Sequence, residues 1–129
     1  AEESGADGIT LVNTLPGLVL DPVTGEAALG AGAGGMSGPA LRAVGVHATW
    51  KAHSQTRLPL VGVGGIARGE DAVQYLRAGA RLVQVGTASF WDPRSAARVA
   101  ESLEVFARRH GVAGIDDLVG TARVGPRPA

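Results

Sequence analysis

The sequence contains no cysteine among its 129 residues. Disulfide bonds, thiolate metal ligands, iron–sulfur ligation and a cysteine nucleophile are therefore excluded from this chain. Its three histidines, His47, His53 and His110, have no spacing typical of a metal site or a catalytic triad. We therefore predict no metal ligands, and we expect the histidines at the surface or at helix ends.

The chain also lacks a net charge and any long apolar run. Its 12 lysine and arginine residues balance 12 aspartate and glutamate residues, so no overall field favours nucleic acid or an anionic membrane. No apolar run approaches the roughly 18 residues that a membrane-spanning helix needs. The acidic first residues lack the basic and apolar regions of a signal peptide. We expect a cytoplasmic protein that binds neither nucleic acid nor membrane.

A regular alternation of strand and helix patterns is present instead. Apolar runs rich in β-branched residues predict buried strands at residues 8–14, 60–63 and 82–85. Helical spacing and end signals predict helices at residues 39–53, 70–78 and from Asp92 to about His110. The predicted apolar stripe of the third helix comprises Ala96, Val99, Ala100, Leu103, Phe106 and Ala107.

The region between the first strand and the first helix is rich in glycine. The turn sequence at residues 21–26 predicts a hairpin, and we expect residues 30–38 to form a mobile segment after it. This segment could be a nest of backbone donors or a flexible linker. Trp50 and Trp91 are interpreted as packing residues.

The alternation of strands and helices predicts an α/β fold with parallel strands and right-handed crossovers. The sheet could be an open doubly wound layer or an arc of a barrel. A complete eight-fold barrel needs about 250 residues, and three parallel strands would leave exposed edges. We therefore predict the C-terminal part of a (β/α)8 TIM barrel, with residues 1–124 as the barrel segment and residues 125–129 as a tail, and we expect a missing N-terminal half as its partner.

Two of the predicted parallel strands are followed by glycine. Gly64 and Gly65 follow one strand, and Gly86 and Thr87 follow the next. A phosphate needs unhindered backbone N–H groups, and glycine lets the backbone approach closely. These residues predict a phosphate cradle, with tight strand-to-helix turns as the alternative explanation for the glycines.

Asn13 and Thr14 come at the end of the first predicted strand. Their amide and hydroxyl groups could recognise a planar ligand with imide-like edges and a carboxylate. The alternative is ordinary turn chemistry. Acidic residues at helix starts, Glu70 and Asp71 among them, are explained by the helix dipole.

Four motifs in chain order carry a family resemblance. They are Ala6-Asp7-Gly8-Ile9-Thr10-Leu11-Val12-Asn13-Thr14-Leu15, Gly34-Gly35-Met36-Ser37-Gly38-Pro39-Ala40, Val63-Gly64-Gly65-Ile66 and Val85-Gly86-Thr87-Ala88. In order and spacing they resemble the C-terminal half of class 1 dihydroorotate dehydrogenase, most like the 1B type. The resemblance covers the chain from Ala1 to about Val124, with Met36 where leucine is usual.

The resemblance implies a set of ligand contacts. The phosphate of flavin mononucleotide (FMN) would lie on backbone groups of Gly64, Gly65, Gly86 and Thr87. Val12 and Gly38 would also line the flavin site. Asn13 and Thr14 would hold the pyrimidine substrate.

The implied reaction is the oxidation of dihydroorotate to orotate, in which a base removes a proton as a hydride passes to the flavin. The family's base, a cysteine in the 1B type, and a flavin-contacting lysine lie in the first half of the barrel. We therefore predict no catalytic residue in this chain, which alone should be inactive. A homo-oligomer and, for the 1B type, a second subunit with FAD and an iron–sulfur cluster are possible partners. The alternatives are another flavin-dependent pyrimidine oxidoreductase, such as a dihydropyrimidine or dihydrouridine reductase, and a non-catalytic half-barrel.

Overall fold

The computed structural model describes residues 1–125. In chain order its elements are β1 (Ile9–Leu11), β2 (Leu15–Gly17), β3 (Gly34–Met36), α1 (Leu41–His53), β4 (Leu60–Val63), α2 (Gly69–Ala78), β5 (Ala80–Gln84), α3 (Ala88–Trp91) and α4 (Ser95–His110), with short 3-10 helices at Glu2–Ser4 and Ile115–Asp117. No helix in this described part combines the length and the apolar character needed to cross a membrane.

A three-stranded parallel sheet forms the centre of the molecule. β4 lies in the middle, with β1 on one side and β5 on the other. Because all three strands run in the same direction, their carboxyl ends meet at one edge of the sheet. Within residues 1–125, β1 and β5 each pair on one side only. The predicted parallel α/β architecture is confirmed, although β1 is shorter than the predicted strand and β5 begins two residues before the predicted start at residue 82.

The core is centred on α2, which packs between the sheet and α4. Tyr75 of α2 has no exposed surface and lies among Ile66, Ala72, Ala80 and Val99. Its aromatic ring adds a large apolar area to a core that is otherwise built from small and aliphatic side chains. The α2 helix ends where predicted, at Gly79, whose φ of 115° is accessible to glycine at little cost.

The inner face of α4 differs from the predicted stripe. Val99 is buried and Leu103 and Phe106 are half-buried, but Ala96 and Ala100 are exposed. Serines complete the inner face instead, since Ser95 is buried and Ser102 accepts a 3.1 Å hydrogen bond from the N–H of Gly69. The backbones of α2 and α4 approach closely there, because a methyl group on Gly69 would lie 2.6 Å from the carbonyl carbon of Ser102.

The start of α4 and the exposure of one tryptophan also correct the sequence prediction. The helix begins at Ser95, not Asp92, because the Asp92 carboxylate accepts the N–H of Arg94 in a turn that precedes the helix. The short helix α3 takes up the residues before that turn. Trp91, at its end, is 88% exposed and therefore does not pack in the core of the described chain.

The glycine-rich region forms an ordered hairpin. β2 and β3 pair in antiparallel fashion, and the predicted turn is closed by Asp21, whose carboxylate accepts the N–H groups of Val23 and Thr24 at 2.8 Å. The prediction of a mobile segment over residues 30–38 is wrong for Gly34–Met36, which is a strand. Pairing with a partner about 20 positions away in the sequence, rather than local propensity, orders it. Most of the predicted tail, residues 126–129, lies outside the described residues.

Candidate functional site

A cleft opens at the edge of the sheet where β1, β4 and β5 end. It encloses about 300 Å³. The cleft is lined by every residue that the sequence predicted for ligand contact, namely Val12, Asn13, Thr14, Gly38, Gly64, Gly65, Gly86 and Thr87. Three strand ends and the segment after the hairpin therefore converge on one site, although they are distant in the sequence.

The loop after β4 forms one wall of the cleft and requires glycine at two consecutive positions. Gly64 and Gly65 have φ values of 123° and 68°, which side-chain-bearing residues rarely adopt. A methyl group on Gly65 would also lie 2.7 Å from the carbonyl oxygen of Gly38 and 2.9 Å from the backbone nitrogen of Arg42. Within residues 1–125 the N–H of Gly65 makes no hydrogen bond. The loop thus brings an unused donor to the lining of the cleft.

The Gly86-Thr87 segment after β5 is less constrained by the fold. Gly86 does not have a positive φ, and no atom lies within 4 Å of the position that its Cβ would occupy. The backbone N–H groups of Gly86 and Thr87 likewise make no hydrogen bond to any residue in the range 1–125. Open space beside unpaired donors suits an anionic group such as phosphate. Both walls of the cleft therefore carry backbone donors without a partner in the described residues, the type of group that can bind a phosphate.

A buried tyrosine supports the loop after β4 from behind. The hydroxyl of Tyr75 donates a hydrogen bond to the carbonyl oxygen of Gly64 at 2.7 Å and lies 3.2 Å from that of Val63. Burial raises the pKa of Tyr75 to about 12. The sequence analysis did not assign this residue a role. Its position four residues before the helix stop Gly79 predicted only a place in the core.

A buried carboxylate fixes the far end of the same loop. Asp71 is 2% exposed, and its Oδ2 accepts the N–H groups of Ala67 and Arg68 at 3.1 and 3.2 Å. Its Oδ1 pairs with the guanidinium group of Arg42, which belongs to α1. The helix-dipole interpretation of Asp71 was therefore incomplete, because the carboxylate also joins the loop to two helices.

The Asn13-Thr14 pair fits both of the explanations that the sequence left open, turn chemistry and a place in the ligand site. Oδ1 of Asn13 accepts the N–H of Thr14 at 2.8 Å, which is local turn chemistry. The two residues nevertheless line the cleft. Within residues 1–125 the side-chain amide nitrogen of Asn13 makes no hydrogen bond, so it can donate to a ligand.

Trp91 lines the mouth of the cleft, a position that the sequence analysis missed. Trp91 and the neighbouring Phe90 are both largely exposed. Their place between Gly86-Thr87 and the helix-start signal at Asp92 was an available sign that they lie near the site. No residue that lines the cleft within residues 1–125 has an ionisable side chain.

Comparison with known proteins identifies the family of this chain. The sequence profile of the family described as dihydroorotate dehydrogenase matches residues 1–106. The chain is 50% identical over 123 residues to a putative dihydroorotate dehydrogenase A (fumarate) of Solibacter usitatus, covering 95% of this chain and 40% of that relative. It is 40% identical over 120 residues to the catalytic subunit of dihydroorotate dehydrogenase B (NAD(+)) of Thermodesulfovibrio yellowstonii, covering 93% of this chain and 40% of that relative.

The fold agrees with this relationship. A crystal structure of DHODH from Eimeria tenella in complex with ferulenol matches with a TM-score of 0.75 and 28% identity, over 93% of this chain and 32% of that one. The chain spans about two fifths of the length of the curated relatives. This partial coverage and the parallel strand–helix order confirm the predicted fold class, part of an α/β barrel. The chain belongs to the dihydroorotate dehydrogenase family.

Proposed function

We propose that this chain is the C-terminal, FMN-phosphate- and substrate-binding part of a dihydroorotate dehydrogenase, which oxidises dihydroorotate to orotate in pyrimidine biosynthesis. The observation that carries the proposal is the convergence of all eight predicted contact residues on one cleft. The complete barrel, rather than this segment alone, would be the active unit.

The proposed cofactor contacts use the two walls of the cleft. The N–H groups of Gly65, Gly86 and Thr87 would donate to the FMN phosphate, because none of them has a partner within residues 1–125. The backbone of Gly64 would also contact the phosphate, and Val12 and Gly38 would line the remainder of the flavin site. When bound, the flavin supplies the hydride acceptor for the reaction.

The substrate would lie against Asn13 and Thr14. The amide nitrogen of Asn13 can donate to a pyrimidine oxygen while its own oxygen holds the following turn. The cleft lining within residues 1–125 contains no side chain able to accept a proton at neutral pH. The base that removes the substrate proton would therefore come from the rest of the barrel.

A chimera provides the test, in which this chain replaces the matched segment of the Solibacter usitatus relative. We expect the purified chimera to be yellow, to release FMN on denaturation and to bleach when dihydroorotate is added. A colourless chimera that does not bind added FMN would contradict the cofactor assignment. A flavin-loaded chimera that is bleached by dihydrouracil or a dihydrouridine-containing RNA, but not by dihydroorotate, would favour a different pyrimidine oxidoreductase.

The proposed partners are supported by the name of one relative and by the family resemblance. One relative is named as a catalytic subunit of an NAD(+)-type enzyme, and we propose that the complete protein forms a homo-oligomer and, if it is of the 1B type, binds a subunit with FAD and an iron–sulfur cluster. Activity assays of the chimera with fumarate or NAD(+) as the electron acceptor, with and without such a subunit, distinguish the fumarate type from the NAD(+) type. The cytoplasmic location is proposed from the sequence, and cell fractionation tests it.

A further inference from the structure

The buried hydroxyl of Tyr75 controls the direction of one peptide group at the cleft. It donates at 2.7 Å to the carbonyl oxygen of Gly64. The C=O of Gly64 and the N–H of Gly65 belong to the same planar trans peptide unit, so they point in opposite directions. Holding the carbonyl towards Tyr75 therefore turns the Gly65 N–H away from the core.

The positions of Tyr75 and Gly65 indicate that this N–H faces the cleft. Tyr75 has no exposed surface and does not line the cleft, whereas Gly65 does. Gly65 has a φ of 68° and Gly64 a φ of 123°, so glycine's wide conformational range would allow this peptide unit to rotate if nothing held it. A fixed acceptor contact at the carbonyl restricts that rotation.

We propose that Tyr75 is a positioning residue whose hydroxyl aims the N–H of Gly65 at the phosphate group of FMN. The inference rests on the proposed function and extends it to a side chain that touches neither cofactor nor substrate. Preorganised donors bind an anion more tightly than donors that must first be ordered.

Core packing alone accounts for the ring of Tyr75 but not for its hydroxyl. The ring lies against Gly62, where an added methyl group would lie 2.8 Å from Cγ of Tyr75. Phenylalanine would fill the same space without a polar group to satisfy. A carbonyl oxygen can only accept, and a tyrosine hydroxyl is protonated in the physiological range, so the hydroxyl of Tyr75 is the donor.

The test compares FMN with riboflavin, which lacks the phosphate, in the chimera carrying Tyr75→Phe. We expect the Kd for FMN to rise about 10-fold, as for the loss of one well-placed hydrogen bond to a charged group, while the Kd for riboflavin stays within about 2-fold. Flavin fluorescence quenching gives both constants, and melting of the apo chimera shows that the variant is folded.

A matched control removes a different buried hydroxyl. Thr49 of α1 is fully buried, does not line the cleft, and donates to the carbonyl of Gly45 at 2.8 Å. Thr49→Val should leave the ratio of the FMN and riboflavin constants unchanged. An unchanged ratio in Tyr75→Phe as well, or an equal loss for both ligands, would overturn the role of Tyr75. A parent chimera that does not prefer FMN to riboflavin would instead contradict the proposed phosphate site.

Discussion

The side chain of Thr14 rests on the backbone of Gly35. A methyl group added to Gly35 would lie 2.6 Å from Cβ of Thr14 and still closer to its Oγ1. Thr14 lines the cleft and Gly35 lies in the hairpin strand β3. The hairpin therefore constrains where a proposed substrate-binding residue lies.

We expect Gly35→Ala to weaken substrate binding. The added methyl group must displace either Thr14 or β3, so the KM of the chimera for dihydroorotate should rise about 10-fold, as when a hydrogen bond to the substrate is lost. Gly30→Ala is the control, since Gly30 has no atom within 4 Å of a built Cβ and no positive φ. Steady-state kinetics should show an unchanged KM for Gly30→Ala. Equal KM values for Gly35→Ala and Gly30→Ala would contradict the role of the contact between Thr14 and Gly35.

Gly65 and Gly86 should respond differently to replacement by alanine. Gly65→Ala meets a positive φ and close backbone contacts, so it should lower the free energy of unfolding by about 2 kcal/mol or more. Gly86→Ala should change it by less than about 0.5 kcal/mol, because the space around Gly86 is open.

FMN binding should show whether Gly86 contributes to the ligand site rather than to the stability of the fold. If the open space receives the phosphate, Gly86→Ala should weaken FMN binding about 10-fold despite its normal stability. Urea denaturation and flavin titration of the same preparations make the comparison. Wild-type FMN affinity in Gly86→Ala would remove Gly86 from the proposed cradle.

The carboxylate that joins the loop to α1 and α2 should be important for stability. Asp71→Asn leaves the partly buried guanidinium of Arg42 without its counter-charge, and we expect a loss of about 3 kcal/mol in the free energy of unfolding. Glu104→Gln removes the exposed ion pair with Arg108 and should cost less than about 0.5 kcal/mol. Chemical denaturation measures both, and similar losses would show that burial of Asp71 does not matter.

Stability should fall at high pH through Tyr75. Its pKa is raised from 10.0 to about 12 in the fold, so between these values the unfolded chain loses this proton before the folded chain does. The contribution of Tyr75 is complete below pH 10 and is lost as pH rises through 12. The difference in tyrosinate absorbance between the chimera and its Tyr75→Phe variant gives the titration. A midpoint near 10 in folded protein would contradict the burial effect.

The best-predicted elements were those with strong local end signals. Pro59 before β4 and Gly79 after α2 mark their elements in the sequence, and both elements have nearly the predicted bounds. The lining of the cleft was also predictable, because strand ends in a parallel sheet must meet at one edge.

The missed features depend on contacts between distant residues. β3 is a strand only because Leu15–Gly17 pairs with it, and a glycine-rich sequence has no strand propensity of its own. Neither the hydroxyl bond of Tyr75 nor the ion pair of Asp71 with Arg42 could be read from spacing, because each joins separate elements across the core. Sequence pattern gave the lining of the site but not the groups behind it.

The two walls of the proposed phosphate cradle differ in how strongly the rest of the chain constrains them. The loop at Gly65 follows the central strand β4, and the hydroxyl of Tyr75 holds it by a hydrogen bond from the core side. Gly86 and Thr87 follow β5, which has a neighbouring strand on one side only within residues 1–125. A phosphate bound across both walls would tie the outer strand to the inner one. Flavin colour and fluorescence would then serve as an optical reporter of barrel closure, usable to follow the assembly of split halves in real time.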